Sequence, residues 1–538
     1  MLTLCQAPFN LSFLAWIAWV PFVLACRPEA KGRKFFLCAY VVGAGYWLGN
    51  LYWLAPVTAP GYVCFGLFQG FYWPVLAFGA RYVRRKNLPM VLCAAVLFVG
   101  AEAWQSVLFT GFSWYFLAHS QYRNLQFIQI ADVFGAAGVS VIIARANGFV
   151  AELLMCLKQK RPFPARLGVE SAILAALLFG SLIYGRYRLS EGLRTIAAGP
   201  IVASIQPNIP SSVKEQNENA LQIIDGLLEQ TRQCLQAKPI LVLWPETIAL
   251  TALNPAYVEL CAEDSETRDL DRRIREAAKD NAYLLVGAHG AGVEQKDYEY
   301  VVAEHFNSAY LYRPDGLQDT KRYDKIHLVP FGEYIPFKKT VPWVFRIISL
   351  LSPYDYDYNL TPGQNYTVFQ VSNGGEYRFS VLICYEDTDA GLTRKMVLPD
   401  RAGAKTDWLV NISNDGWYVR FRDSKVVPTV ELAQRTAISV FRCVENRISI
   451  IRSVNTGISC LIDPEGRIQN DYLLGTLPRV AMERQGVEGW FADSIPIDRR
   501  ITFFTRHGRW LDLILGLSLS LLLAAAIMET AKFHGKKK

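Results

Sequence analysis

Histidine is scarce in this chain, six in 538 residues, and the eleven cysteines form no Cys-x-x-Cys pair. That pairing of shortages excludes the usual zinc and iron–sulfur signatures, so no metal and no organic cofactor is expected. Internal repeats and low-complexity tracts are missing too, which excludes solenoids and tethered disordered arms. Acidic residues fall short of basic ones, 48 against 56, for a formal charge of +8. The excess does not read as nucleic-acid binding, because the lysines and arginines sit in short clusters beside apolar runs. What is abundant is apolar: 51% of residues are hydrophobic and 13% aromatic. Such a chain is too apolar to be purely soluble, and it is long enough for more than one domain.

Apolar runs of membrane-crossing length recur at about 8–26, 35–55, 62–80, 89–110, 137–156, 169–187 and 509–528. Their connections alternate in charge. Arg27, Lys31, Arg33 and Lys34 follow the first run, Arg81, Arg84, Arg85 and Lys86 the third, and Lys158, Lys160, Arg161 and Arg166 the fifth. The intervening loops carry few basic groups, so the basic ones are assigned to the cytoplasm. This parity puts the long segment 188–508 and Met1 outside, and the tail Lys536-Lys537-Lys538 inside. The first run lacks a basic stretch before it and a small-residue cleavage site after it, so it reads as a retained span. No run carries the interior charge pairs typical of an ion or solute path. Glu102, the main acid within them, reads as a cap or a partner near the outer surface.

Between about 190 and 505 short apolar strands alternate with amphipathic helices. Strands are expected at Ile201–Ile205, Ile240–Leu243, Tyr283–Val286, Ser308–Tyr312, Thr367–Val371, Phe379–Ile383, Trp408–Ile412 and Ile448–Arg452. Helices are expected over 213–236, 266–281 and 428–445. This alternation predicts an α/β layered domain with its own core. The expected organisation is therefore a six-span block over 1–188, an extracytoplasmic domain over 189–506, and a final span with basic tail over 507–538. One stretch breaks the pattern. Val341–Tyr358 is long, apolar and aromatic, and reads either as packing on the domain core or as an arm that dips into the outer leaflet or covers a lipid-binding cleft.

Four polar residues, Glu246, Lys325, Glu333 and Cys384, stand at or just after strand ends, where α/β domains place their chemistry. Glu246 follows Leu241-Val242-Leu243-Trp244-Pro245, Lys325 follows Tyr323-Asp324, and Cys384 ends Val381-Leu382-Ile383. Alone, each has an ordinary reading: a helix cap, a surface lysine, a small buried hydrophobe. Together they form a working set. A thiol is scarcely ionised at neutral pH and needs a base, which a glutamate supplies. An ammonium steadies both the thiolate and the oxyanion formed on carbonyl attack.

With these motifs the chain resembles the nitrilase superfamily, whose α-β-β-α sandwich uses a Glu–Lys–Cys triad. More closely, it is similar to that superfamily's membrane-bound branch, the apolipoprotein N-acyltransferase family. The resemblance runs through Gly45-Tyr46-Trp47-Leu48, Thr110–Trp114, Trp244–Thr247, Phe306–Ala309, Lys325–Pro336, Cys384-Tyr385-Glu386, Asn414–Trp417 and Asn455-Thr456-Gly457. It implies Glu246 as general base, Lys325 as oxyanion and thiolate stabiliser, and Cys384 as nucleophile. It further implies supporting roles for Glu333, Tyr385, Glu386 and Asn307, with the Tyr385 N–H as a second oxyanion donor. Three departures stand out. The family's usual additional span before Gln6–Phe9 is missing, Lys214-Glu215 replaces an expected aromatic, and Gln434-Arg435 replaces a Gln-His pair. The last two are expected to bear on lipid recognition.

The implied reaction is ping-pong acyl transfer from a phospholipid, phosphatidylethanolamine by family habit, to the α-amine of a diacylglyceryl-cysteine on an apolipoprotein. The implied setting is the bacterial inner membrane, with the catalytic domain periplasmic and the chain a monomer. Two other readings stay open, a membrane-tethered carbon–nitrogen hydrolase and a transporter or scaffold with a degenerate site. Cys234, Cys261, Cys384, Cys443 and Cys460 fall in the outer domain, and their spacing selects no disulfide pairing.

Overall fold

The computed structural model describes all residues except 30–31, 161, 211–219, 298, 336–342, 344–345, 347–358, 373, 400–402, 423–424 and 536–538. The arm expected at Val341–Tyr358, the Lys214-Glu215 pair and the basic tail lie outside the described residues, apart from isolated positions. The chain divides into two units, one of Met1–Leu193 with Thr502–Lys538 and one of Arg194–Ile501.

The first unit is helical. Among its described residues four helices are long and apolar enough to cross a membrane: Ala59–Arg85, Ala131–Lys158, Ala165–Thr195 and Trp510–Lys532. The expected runs at 8–26, 35–55 and 89–110 take shorter forms, Ser12–Ala25, Gly32–Asn50 and Met90–Gln105. The first of these is broken into a 3₁₀ turn, Ser12–Trp16, and a helix, Val20–Ala25, with Pro21 in its opening turn. Backbone groups freed by such a break need partners where water is excluded. Buried Asn147 supplies them, accepting from the Trp19 N–H at 2.8 Å and donating to the Ala15 carbonyl at 2.8 Å. Met90–Gln105 is interrupted by a π-helical turn at Ala95–Val99.

The expectation that the spans hold no interior charge pair is not met. Arg145 of Ala131–Lys158 meets Glu170 of Ala165–Thr195 at 2.6 Å, both largely buried, and Arg188 meets buried Asp132 at 2.8 Å. Each pair joins two different helices, so neither partner announces the other along the sequence. Glu102 accepts the Leu117 N–H at 2.6 Å, the capping role expected of it.

The second unit holds two sheets. The eight-stranded sheet runs Leu474–Gly475, Gly489–Ile497, Ala197–Gln206, Leu241–Leu243, Tyr283–Lys296, Glu299–Tyr312, Gln318–Asp324, with Ala249–Ala252 beside Tyr283–Lys296. The five-stranded sheet runs Leu461–Ile462, Ser449–Val454, Trp408–Ser413, Glu376–Ile383, Phe369–Ser372. In each, the three central strands are parallel and the outer strands antiparallel, except Ala249–Ala252, which lies parallel to Tyr283–Lys296. Parallel strands covered on both faces need unbroken apolar runs, which explains Leu241-Val242-Leu243 and Val381-Leu382-Ile383.

Helices Ala220–Cys234 and Glu266–Ala278 cover the larger sheet, setting Ile224, Leu227 and Ile274 against Val242, Trp244 and Leu284. The sheets meet at their central strands. Ser453 donates to the carbonyls of Ile205 and Leu243, and Ser204 to that of Arg452. Helices Ala390–Val397 and Val430–Asn446 pack on the smaller sheet. The result is the expected α-β-β-α sandwich.

Candidate active site

Glu246 leaves the end of Leu241–Leu243 and is 5% exposed. Its Oε1 accepts from Asn307 Nδ2 at 2.7 Å and lies 3.3 Å from Lys325 Nζ, while Oε2 accepts the Asn414 N–H at 2.8 Å. Burial alone would raise this carboxyl, but the Lys325 ammonium, Asn307 and the Asn414 N–H hold it below the ordinary carboxylate range. Close approach of the neighbouring strand requires Gly287, where a Cβ would stand 2.3 Å from the Pro245 carbonyl and 2.8 Å from Glu246 Cα. Gly287→Ala is therefore expected to displace Glu246, costing about 1–3 kcal/mol of stability together with activity. Thermal unfolding and acyl-transfer rates measure the two effects.

Lys325 follows Gln318–Asp324 and is 1% exposed. Its ammonium binds Glu333 Oε1 at 2.7 Å as well as Glu246. Its backbone N–H donates to the Asn307 carbonyl at 2.8 Å. Burial works against the lysine charge, but the carboxylates of Glu333 and Glu246 outweigh it and hold the ammonium protonated well above the usual lysine range. Asn307 also donates to Glu333 Oε1 at 3.1 Å, and Glu333 Oε2 accepts the Val329 N–H at 2.7 Å. Four of the expected residues thus form one hydrogen-bonded set.

Cys384 ends Glu376–Ile383 and opens a 3₁₀ turn, Cys384–Thr388, with φ at +52°. That left-handed backbone, unusual for a residue with a side chain, turns the chain sharply out of the strand. Burial first, then the Glu246 carboxylate, push its thiol up to about 12, while Lys325 and Arg435 pull it down. The resting site therefore holds a thiol and a carboxylate.

Glu386 does more than line the site. Its Oε1 accepts the N–H groups of Ile326 and His327 at 2.7 and 3.0 Å, and its Oε2 that of Ile383 at 2.7 Å. The Tyr323 hydroxyl reaches both oxygens. One carboxylate thereby ties the loop after Lys325 to the strand end carrying Cys384. Glu386→Gln would turn an N–H donor toward these donors, and is expected to cost about 1–3 kcal/mol and to slow acylation of the protein. Unfolding midpoints and intact-mass spectra read both. Tyr385 is half-buried and packs edge-on to His327 at 5.3 Å between ring centroids.

The departure at Gln434-Arg435 lies beside Cys384. Arg435, in helix Val430–Asn446, is 1% exposed, and its Nη1 lies 3.7 Å from Cys384 Sγ. Asp387, Asp415, Ser413 and Arg452, none singled out as site residues from the sequence, surround it. The Asn414–Trp417 motif is the available signal for Asp415.

The sandwich is that of a carbon–nitrogen hydrolase: residues 201–476 match the carbon-nitrogen hydrolase family. Residues 1–149 match the apolipoprotein N-acyltransferase N-terminal domain. The chain is 32% identical over 480 residues to an apolipoprotein N-acyltransferase of Geobacter metallireducens, covering 86% of this chain and 82% of that one. It is 28% identical to the one from Chlorobaculum tepidum, covering 97% and 93%. The chain belongs to the apolipoprotein N-acyltransferase family. A nitrilase-superfamily amidase of Nesterenkonia matches with 16% identity and a TM-score of 0.36, covering 56% of this chain and 91% of that one.

Proposed function

We propose that this enzyme moves a fatty acyl chain from a membrane phospholipid to the free α-amine of the diacylglyceryl-cysteine at an apolipoprotein N-terminus. The donor is phosphatidylethanolamine, cleaved at its sn-1 ester. Cys384 is the nucleophile, Glu246 the general base and Lys325 the stabiliser of negative charge. The observation that carries this reading is the buried Glu246–Lys325–Glu333 ion set beside Cys384, with its charges aimed by Asn307 and Asn414, in a chain of this family.

The chemistry then follows from the charges. Glu246 takes the Cys384 proton as the sulfur attacks the ester carbonyl and a C–S bond forms. Lys325, with the Tyr385 N–H, stabilises the tetrahedral oxyanion. The C–O bond breaks, and the lysophospholipid alkoxide recovers the proton from Glu246. The lipoprotein amine next attacks the thioester, giving its proton to Glu246. A C–N bond forms, the C–S bond breaks, and the departing sulfur is reprotonated. A pre-ionised base and cation spare the reorganisation that water would need.

The four long apolar helices support a membrane setting, and the clustered basic loops support an inner-membrane orientation with the sandwich periplasmic. One copy supplies every group named, which supports a monomer. The test is complementation of a bacterium depleted of its own N-acyltransferase, with mass spectra of lipoprotein N-termini. Triacylated lipoproteins are expected with this chain. Persistent diacyl forms, accompanied by amide hydrolysis by the purified protein, would favour a hydrolase instead.

A further inference from the structure

We propose that Arg435 is a second cationic catalytic residue, whose Nη1–H steadies the Cys384 sulfur each time it becomes a thiolate. It does so on attack at the donor ester and again on departure from the thioester. This deepens the reading of Cys384 as nucleophile and rests on it.

The first support is contact. Nη1 lies 3.7 Å from Sγ, within reach of an N–H···S hydrogen bond. The second is rigidity. Nε donates to Asp387 Oδ1 at 3.1 Å, and Nη1 to Ser413 Oγ at 2.8 Å and Asp415 Oδ1 at 2.7 Å. Arg452 braces the same acids, 2.5 Å from Asp387 Oδ2 and 3.7 Å from Asp415 Oδ2. The guanidinium is thus held by two segments of chain, the Asp387 turn and Ser413–Asp415, and does not depend on the sulfur for its place. Such a preorganised donor gains most where charge develops in a buried site.

The third support is charge balance. Lys325, the other cation at the sulfur, is shared by the carboxylates of Glu246 and Glu333. That trio carries a net negative charge before the thiol ionises. Arg435 and Arg452 balance Asp387 and Asp415, and burial beside Asp415 favours the neutral form of Glu431. Tyr418, the remaining titratable neighbour, is kept neutral by burial. Removing the Arg435 charge would leave Arg452 alone against both acids, one negative charge uncompensated next to an ionising sulfur. Nη1 also donates to Ser413 Oγ and Asp415 Oδ1, so its contact with Sγ is a shared, three-centre one and acts chiefly through the guanidinium charge.

The test is the rate at which iodoacetamide alkylates Cys384 in the full-length, detergent-solubilised protein between pH 7 and 9.5, followed by peptide mass spectrometry. Wild type is expected to react about tenfold faster per pH unit, without a plateau. In Arg435→Gln the rate should fall about tenfold or more at each pH, and Arg435→Lys should recover part of it. Thermal unfolding monitors the fold. If Arg435→Gln does not fold, Arg435→Gln/Asp415→Asn, which removes the ion pair whole, carries the same measurement. Alkylation of a folded variant at the wild-type rate, or Arg435→Lys as slow as Arg435→Gln, overturns the proposal. Labelled phospholipid acylating some other residue would instead overturn the reading of Cys384, whatever the alkylation result.

Discussion

Cys384→Ala is expected to lower acyl transfer by about 10⁴-fold or more, the scale on which removal of a covalent nucleophile acts. The fold should survive, because alanine occupies less of the same buried space and inherits the same φ of +52°. The variant keeps Glu246, Lys325 and Arg435 in place, so a loss of transfer at unchanged unfolding temperature isolates the sulfur. Cys384→Ser tests the same point from the other side. It retains a hydroxyl in the site but should accumulate little acyl-enzyme as the oxygen ester, because the more basic oxygen is not ionised by the same base.

The second large effect is expected from Lys325→Met. It removes a 1%-exposed cation from between two carboxylates, 2.7 Å from Glu333 and 3.3 Å from Glu246. Breaking a buried pair in this way costs about 3–5 kcal/mol, and on the proposed mechanism the oxyanion loses its ammonium as well. The pH dependence carries a sign that identifies the cause. In wild type Glu246 is held below its ordinary value. It therefore contributes stability that is present above the unfolded value and is lost as pH falls through the folded one. Without Lys325, burial dominates and raises the same carboxyl. The variant then gains from protonation, and its stability deficit should shrink on acidification from pH 7 toward pH 5. Thermal unfolding across that range measures it. A deficit that grows with acid would mean that the lysine does not act through Glu246.

The parts of this molecule that are legible in sequence are those where one residue type changes abruptly into another. Glu246, Lys325 and Cys384 each follow a strand, and two of those strands are apolar runs buried in the centre of a sheet. The polar edge strand Gln318–Asp324 is not legible, because only one of its seven side chains is buried and no apolar alternation marks it. The hairpin Tyr283–Lys296 with Glu299–Tyr312 is legible only in its buried halves, for the same reason. Arg435 shows in the sequence as a departure from the family pattern but not as a site residue. Helix Val430–Asn446 is buried throughout its length, so no polar face distinguishes an inward arginine from an outward one. Its partners Asp387 and Asp415 come from separate turns, 48 and 20 residues away. In the membrane unit, length and hydropathy locate the long helices but cannot show that Asn147 satisfies the break before Val20, or that Arg145 finds Glu170.

The most direct measurement is the mass of the purified protein after incubation with phosphatidylethanolamine labelled in its sn-1 acyl chain. One labelled acyl group should appear on Cys384 as a hydroxylamine-sensitive thioester. Adding a diacylglyceryl-cysteine peptide should discharge it onto the peptide α-amine as an amide. No adduct, an adduct on another residue, or discharge to free fatty acid that the peptide does not accelerate would contradict the acyl-transfer mechanism.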